Sequence, residues 1–187
     1  MYPPLTPRLM NAMNTAATAH RDHTRKGSGI PYVSHLFAVM YLVASETDDE
    51  DLLIAALLHD ALEDVPENYS EEQMRADFGD RVAGIVLDLS KDDSLPDWQD
   101  RSNAYLDHLE NHASEEAVLI SCADKLHNLM SILDDHAAQG DALWERFNSG
   151  QERQRWWYGE VHRVVEKRRP GLELNRRLGD LVSSFPT

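Results

Sequence analysis

Apolar positions recur at helical spacing along almost the whole chain, and strand-like alternation is sustained nowhere. Leu9, Met10, Met13, Ala16 and Ala17 mark an opening helix that runs to about His23. Gly27, Gly29 and Pro31 then fall within five residues, so the stretch RKGSGIPY is a loop. Ser34 is placed to cap a second helix, HLFAVMYLVA, whose apolar face carries Leu36, Val39, Met40 and Val43. A third helix is expected over about 49–65, with acids in its first turn, where the helix dipole favours them, and Pro66 just past its end. The sequence S-E-E-Q at 70–73 has capping-box spacing and opens a short helix ending near Phe78 and Gly79. DRVAGIVLDLS gives another amphipathic helix, KDDSLPDW a polar loop, and 101–110 and 115–136 two further helices, closed by Gly140. Helical stretches around 150–167 and 172–182 follow, separated by Pro170 and Gly171. The pattern predicts an all-α fold of about eight helices with no sheet.

A length of 187 residues with 42% apolar content fits one compact domain spanning 1–187. Its motif-bearing core covers about 9–136 and a helical extension about 140–187. No run of 18 apolar residues occurs and the first residues, MYPPLTPRLM, lack a signal-peptide pattern, so a cytoplasmic location is expected. The one cysteine, Cys122, lies in the apolar run VLISCADKL and reads as a small buried side chain.

The net charge of -15 argues against nucleic acid or an anionic membrane as a partner, since both require a positive footprint. Its distribution is more informative. Residues 33–74 contain no Lys or Arg but eleven acids, a field that suits a cation. Nine of the 18 basic residues lie over 146–177, where a solvated helix end is the simple account.

His59 and Asp60 interrupt an apolar helical run, AALLHDALEDV, where burying both is costly unless something compensates them. A bound metal ion would do so. Glu63 and Asp64 follow four residues after each, which on one continuous helix puts all four on one side. An exposed polar face with i,i+4 pairs is the competing account for this segment alone. His35, at the start of one helix, and Asp124, within the apolar run AVLISCADKLHNL, complete two imidazoles and two carboxylates from three helices. That is a mixed N/O shell for a borderline or hard divalent ion.

Four ordered blocks now stand out: RKGSGIPYVSH at 25–35, HDALEDV at 59–65, FGDRVAGIV at 78–86 and ADKLHNL at 123–129. In this combination the chain resembles the HD superfamily, and within it the hydrolase domain of the RelA/SpoT type and its stand-alone small alarmone hydrolases. The resemblance runs from about His20 to Leu133. It implies a single HD-type helical bundle in which His35, His59, Asp60 and Asp124 bind one divalent metal ion, usually manganese in these enzymes. It also implies that Glu63 and Asp64 orient or deprotonate the attacking water. Arg25, Lys26, Ser28 and Tyr32 on the loop, with Lys125 and Asn128, would contact the nucleotide. The implied reaction removes the 3′-diphosphate of guanosine 3′,5′-bis-diphosphate or its pentaphosphate analogue, giving GDP or GTP and pyrophosphate.

The residue types suit that chemistry. Phosphate oxygens repel an incoming hydroxide, so a Lewis acid must neutralise charge and lower the pKa of water towards ~7. A nearby carboxylate takes the proton, and Arg25 and Lys26 meet a polyanion by charge-assisted bonds. The chain leaves no room for the synthetase domain of the long relatives, so alarmone synthesis is not expected. Beyond Asn128 the similarity fades. Trp144, Phe147, Trp156, Trp157 and Tyr158 read as core, although one of them could flank a base pocket. Ser121 and Cys122 stand where long relatives carry a Lys and an aliphatic residue, which leaves an adenosine analogue or a nucleoside monophosphate as alternative substrates. A non-catalytic nucleotide sensor is the alternative of another class, but it has no need for four ligands and two acids together.

Overall fold

The computed structural model describes residues 3–90, 95–147 and 149–186. Among these there are ten α helices and one 3-10 helix, and the only β pairing is an isolated bridge between Thr24 and Pro31. The polar loop expected after Ser90 lies partly outside the described residues, at 91–94. Contacts cluster the chain into two compact units, Met1–Lys91 and Asp92–Thr187. Three of the four sequence blocks fall in the first unit and ADKLHNL in the second.

The first unit is organised around α3 (Glu50–Leu58), in which every residue over 52–58 is buried. A helix that is apolar all round must be covered on all sides. Here α1 (Pro7–Ala19), α2 (Val33–Val43) and α6 (Asp80–Leu87) supply the cover. Each fully buried leucine contributes about 1.5–3 kcal/mol. Helix α1 begins where Thr6 accepts from the Leu9 amide and Pro7 presets the first turn, and it ends at Ala19 rather than His23. The expected capping box of α5 (Glu71–Phe78) is present, with Ser70 and Gln73 each bonding the other's backbone amide.

Two further local features differ from the sequence pattern. Ser34 lies inside α2 and donates to the Pro31 carbonyl at 2.8 Å, so the residue entering the helix is Tyr32. The single helix expected over 49–65 is two, α3 and the short α4 (Ala61–Asp64), with a break at His59 and Asp60. Asp60 takes φ -99° and ψ -2°, the bridge region between helix and strand.

The second unit contains α7 (Trp98–Asn111), α8 (Glu115–Gln139), a 3-10 turn (Gly140–Arg146), α9 (Gly150–Arg168) and α10 (Glu173–Ser183). Asp97 and Ser114 cap α7 and α8, and Gly140, at φ 66°, ends α8. The basic cluster is largely committed within this unit. Arg163 and Lys167 pair with Glu110, and Arg176 with Glu173 and Asp180. Arg168 donates to the carbonyls of Leu109, Glu110 and Ala113 at the end of α7. No helix among the described residues is long and apolar enough to cross a membrane.

Candidate metal centre

The first unit carries most of the expected site residues. After α1 the chain turns at His20 and crosses a short loop closed by two backbone bonds, from Arg25 to the Ile30 carbonyl at 2.8 Å and from Tyr32 to the His23 carbonyl at 2.9 Å. Gly27 and Gly29 take φ of 84° and 69°, which lets this loop reverse within a few residues. Lys26 and Ser28 are exposed at its tip, and the Arg25 guanidinium lies 5.9 Å from the Tyr32 ring centroid. Tyr32 leads directly into α2, so His35 sits in its first turn and is fully buried.

His59 ends α3. Its Nδ1 lies 2.8 Å from the Ala56 carbonyl. A carbonyl can only accept, so Nδ1 carries the proton and, in the neutral ring, Nε2 carries the lone pair. That Nε2 lies 3.1 Å from Asp60 Oδ2, and His35 Nε2 lies 3.6 Å from the same oxygen. A ring nitrogen of His35 is within 4.8 Å of one of His59, close enough for one ion to take both. A lone-pair nitrogen facing a carboxylate oxygen in a buried setting calls for a proton or a cation between them. The donor set of imidazole nitrogens and a carboxylate fits a borderline or hard divalent ion.

Two imidazoles not singled out in the sequence adjoin these residues. His23 stacks on Tyr32 with ring centroids 4.0 Å apart and planes 10° apart, and His20 stacks on the same ring at 5.2 Å. His20 and His23 meet through their Nδ1 atoms at 3.2 Å. Burial pushes the His20 pKa down to about 4, against the pull of Asp60, so its ring is neutral at pH 7. Asp64, whose Oδ2 is 3.9 Å from His23 Nδ1, is pushed upward by burial and then by the Asp60 charge, while His23 and Tyr32 act in the opposite sense. The spacing of His20 and His23 by three residues at a helix end was the available signal, and nothing in it pointed to Tyr32.

The second unit carries the remaining expected residues on α8. Asp124 is buried in a run that is buried from Ala117 to Leu126. Asn128, one turn on, donates to Asp124 Oδ1 at 2.5 Å, and the Lys125 ammonium donates to Oδ2. Lys125 lies over the rings of Tyr105 and Trp157, at 5.3 and 5.9 Å from their centroids. Tyr105 in turn bonds the Ser121 hydroxyl at 2.8 Å. Lys125 and Asn128, expected beside a nucleotide, both bond the Asp124 carboxylate, and Trp157, expected as core, is buried with its ring near the Lys125 ammonium.

Residues 12–148 match the family of HD domains, and the chain belongs to that family. Among curated relatives, it is 35% identical over 127 residues to the zebrafish guanosine-3′,5′-bis(diphosphate) 3′-pyrophosphohydrolase MESH1, covering 66% of this chain and 68% of that protein. It is 36% identical over 131 residues to the bifunctional (p)ppGpp synthase/hydrolase SpoT of Escherichia coli K12, of which the match spans only 18%. A solved structure of a metazoan SpoT ortholog that hydrolyses ppGpp superposes with a TM-score of 0.78 at 29% identity, covering 97% of both chains.

Proposed function

We propose that this protein hydrolyses the 3′-diphosphate of guanosine 3′,5′-bis-diphosphate and its pentaphosphate analogue, releasing pyrophosphate and GDP or GTP. The carrying observation is the approach of His35 Nε2 and His59 Nε2 to one oxygen of Asp60, with the His59 tautomer fixed by Ala56. The names of the relatives supply the substrate. In this reading His35, His59, Asp60 and Asp124 hold one divalent ion, with Mn²⁺ as the metal. When bound, the ion supplies charge neutralisation at phosphate and activates water at neutral pH.

The chain's own groups do the rest. Glu63 accepts a proton from the attacking water, with Asp64 beside it in α4. The water oxygen joins the phosphorus attached to the 3′-oxygen, that P–O bond breaks, and a proton ends on the 3′-hydroxyl. Arg25, Lys26 and Ser28, on an exposed loop of an otherwise acidic unit, meet the phosphates. Lys125 and Asn128 fix Asp124 and line the nucleotide side of it.

The test is to incubate the purified, manganese-loaded protein with guanosine tetraphosphate and follow phosphorus NMR. Pyrophosphate and GDP in equal amounts are expected. Orthophosphate from a nucleoside monophosphate, or no turnover with the ion bound, would overturn the assignment. Asp124→Ala should lose both ion and activity; full manganese occupancy in that variant would remove Asp124 from the ligand set.

A further inference from the structure

We infer that Tyr32 is a positioning residue for Asp60, holding the carboxylate in place for the ion through a phenol that is itself seated on His23. The inference rests on the metal-centre part of the reading above, and not on the identity of the nucleotide.

Three observations carry it. The Tyr32 hydroxyl lies 2.6 Å from Asp60 Oδ2. The carboxylate can only accept, so the phenol donates, and the distance is that of a charge-assisted O–H···O⁻ bond. The oxygen it grips is the same one faced by His59 Nε2 at 3.1 Å and His35 Nε2 at 3.6 Å. A hydroxyl at this point fixes which oxygen of Asp60 the imidazoles meet.

The ring is immobilised independently of Asp60. Its own backbone amide donates to the His23 carbonyl at 2.9 Å, while its face lies on the His23 imidazole at 4.0 Å and 10°. Backbone and ring are thus tied to the same residue, and His20, buried to 1% exposure, stacks on the ring as well. A phenol carried on so constrained a ring has little freedom to follow a wandering acceptor. It selects one carboxylate rotamer instead.

Asp60 also needs the help. It lies in the break between α3 and α4, without a side-chain bond to the helix end it precedes. His59, by contrast, has its orientation set by the Ala56 carbonyl. Tyr32 fixes the direction of Asp60 as Ala56 fixes that of His59, here through the same oxygen that the imidazoles face. Removing such partners typically weakens metal binding by about 10–100-fold.

The test uses the full chain and Tyr32→Phe, which keeps the ring and its stack on His23 and removes only the hydroxyl. The manganese dissociation constant is read without nucleotide, from the electron paramagnetic resonance signal of free Mn²⁺. It should rise by about 10–100-fold. In steady-state assays kcat should recover as manganese is raised, with the nucleotide KM changed by less than about twofold. An unchanged manganese constant overturns the inference, and an unchanged constant with a raised KM would make Tyr32 a nucleotide contact instead. His23→Ala removes the platform and leaves the hydroxyl. It should weaken manganese by a smaller factor in the same titration, and no weakening there also overturns the inference. A protein that binds manganese but releases no pyrophosphate sinks the proposed substrate while the titration still decides Tyr32. A wild-type chain that binds no manganese sinks both.

Discussion

The Nδ1 proton of His59 is donated to the Ala56 carbonyl, the acceptor that a continuing α helix would have given to the amide of Asp60. That hydrogen bond commits the ring to the tautomer whose Nε2 can bind an ion. His59→Gln removes that nitrogen, and the variant should carry no stoichiometric manganese and lose at least about 100-fold in pyrophosphate release. Metal analysis of the purified protein checks it, and a full equivalent of manganese in the variant would take His59 out of the ligand set.

The break at His59 also shows where sequence periodicity stops. Apolar spacing located each long helix and the capping box at Ser70, because those signals are local and repeat. The break between α3 and α4 falls inside a run whose apolar spacing continues across it, so the hydrophobic pattern carries no trace of it. The tie between Tyr32 and Asp60 spans 28 residues and was equally invisible. The four blocks made the candidate ligands legible. Asn128 reaches Asp124 at ordinary i,i+4 helical spacing, but the seat of Tyr32 on His23 depends on packing that the chain order does not encode.

Glu63 lies one turn beyond the break, in α4, and the proposed chemistry requires it as an ionised base. Glu63→Gln keeps the size and the hydrogen-bonding capacity but cannot take a proton. Turnover should fall by about 10²–10⁴-fold while manganese binding stays intact. Parallel measurement of metal content and initial rate separates this from a ligand defect, and an unchanged rate would remove the role.

Arg168 addresses a different part of the molecule. Its guanidinium donates to the Leu109 carbonyl at 2.8 Å and the Ala113 carbonyl at 2.9 Å, and pairs with Glu115. It therefore satisfies carbonyls in the last turn of α7 and in the turn that follows it. Arg168→Ala should cost about 2 kcal/mol in urea unfolding, the scale of hydrogen bonds to a charged donor. Neighbouring Lys167, more than half exposed and paired with Glu110 on the surface, should show a much smaller effect as Lys167→Ala. Equal losses in the two variants would contradict the distinction between a helix-end clamp and a surface pair.

Two helical glycines are expected to respond with opposite signs to the same substitution. Gly84 lies within α6, and a Cβ built there meets nothing within 4 Å, so Gly84→Ala should stabilise by about 0.5–1 kcal/mol through helix propensity alone. Gly179 lies within α10, and a Cβ there would meet the His162 ring at 2.7 Å. That ring cannot easily retreat, because its Nδ1 is bonded at 3.0 Å to Asn175 Oδ1 and Asn175 is fully buried. The overpacking cost of about 1–3 kcal/mol then outweighs the propensity gain of about 1 kcal/mol, and Gly179→Ala should be net destabilising. Urea unfolding of the two variants under one condition decides the matter, and a more stable Gly179→Ala would mean that α9 and α10 separate without penalty at His162.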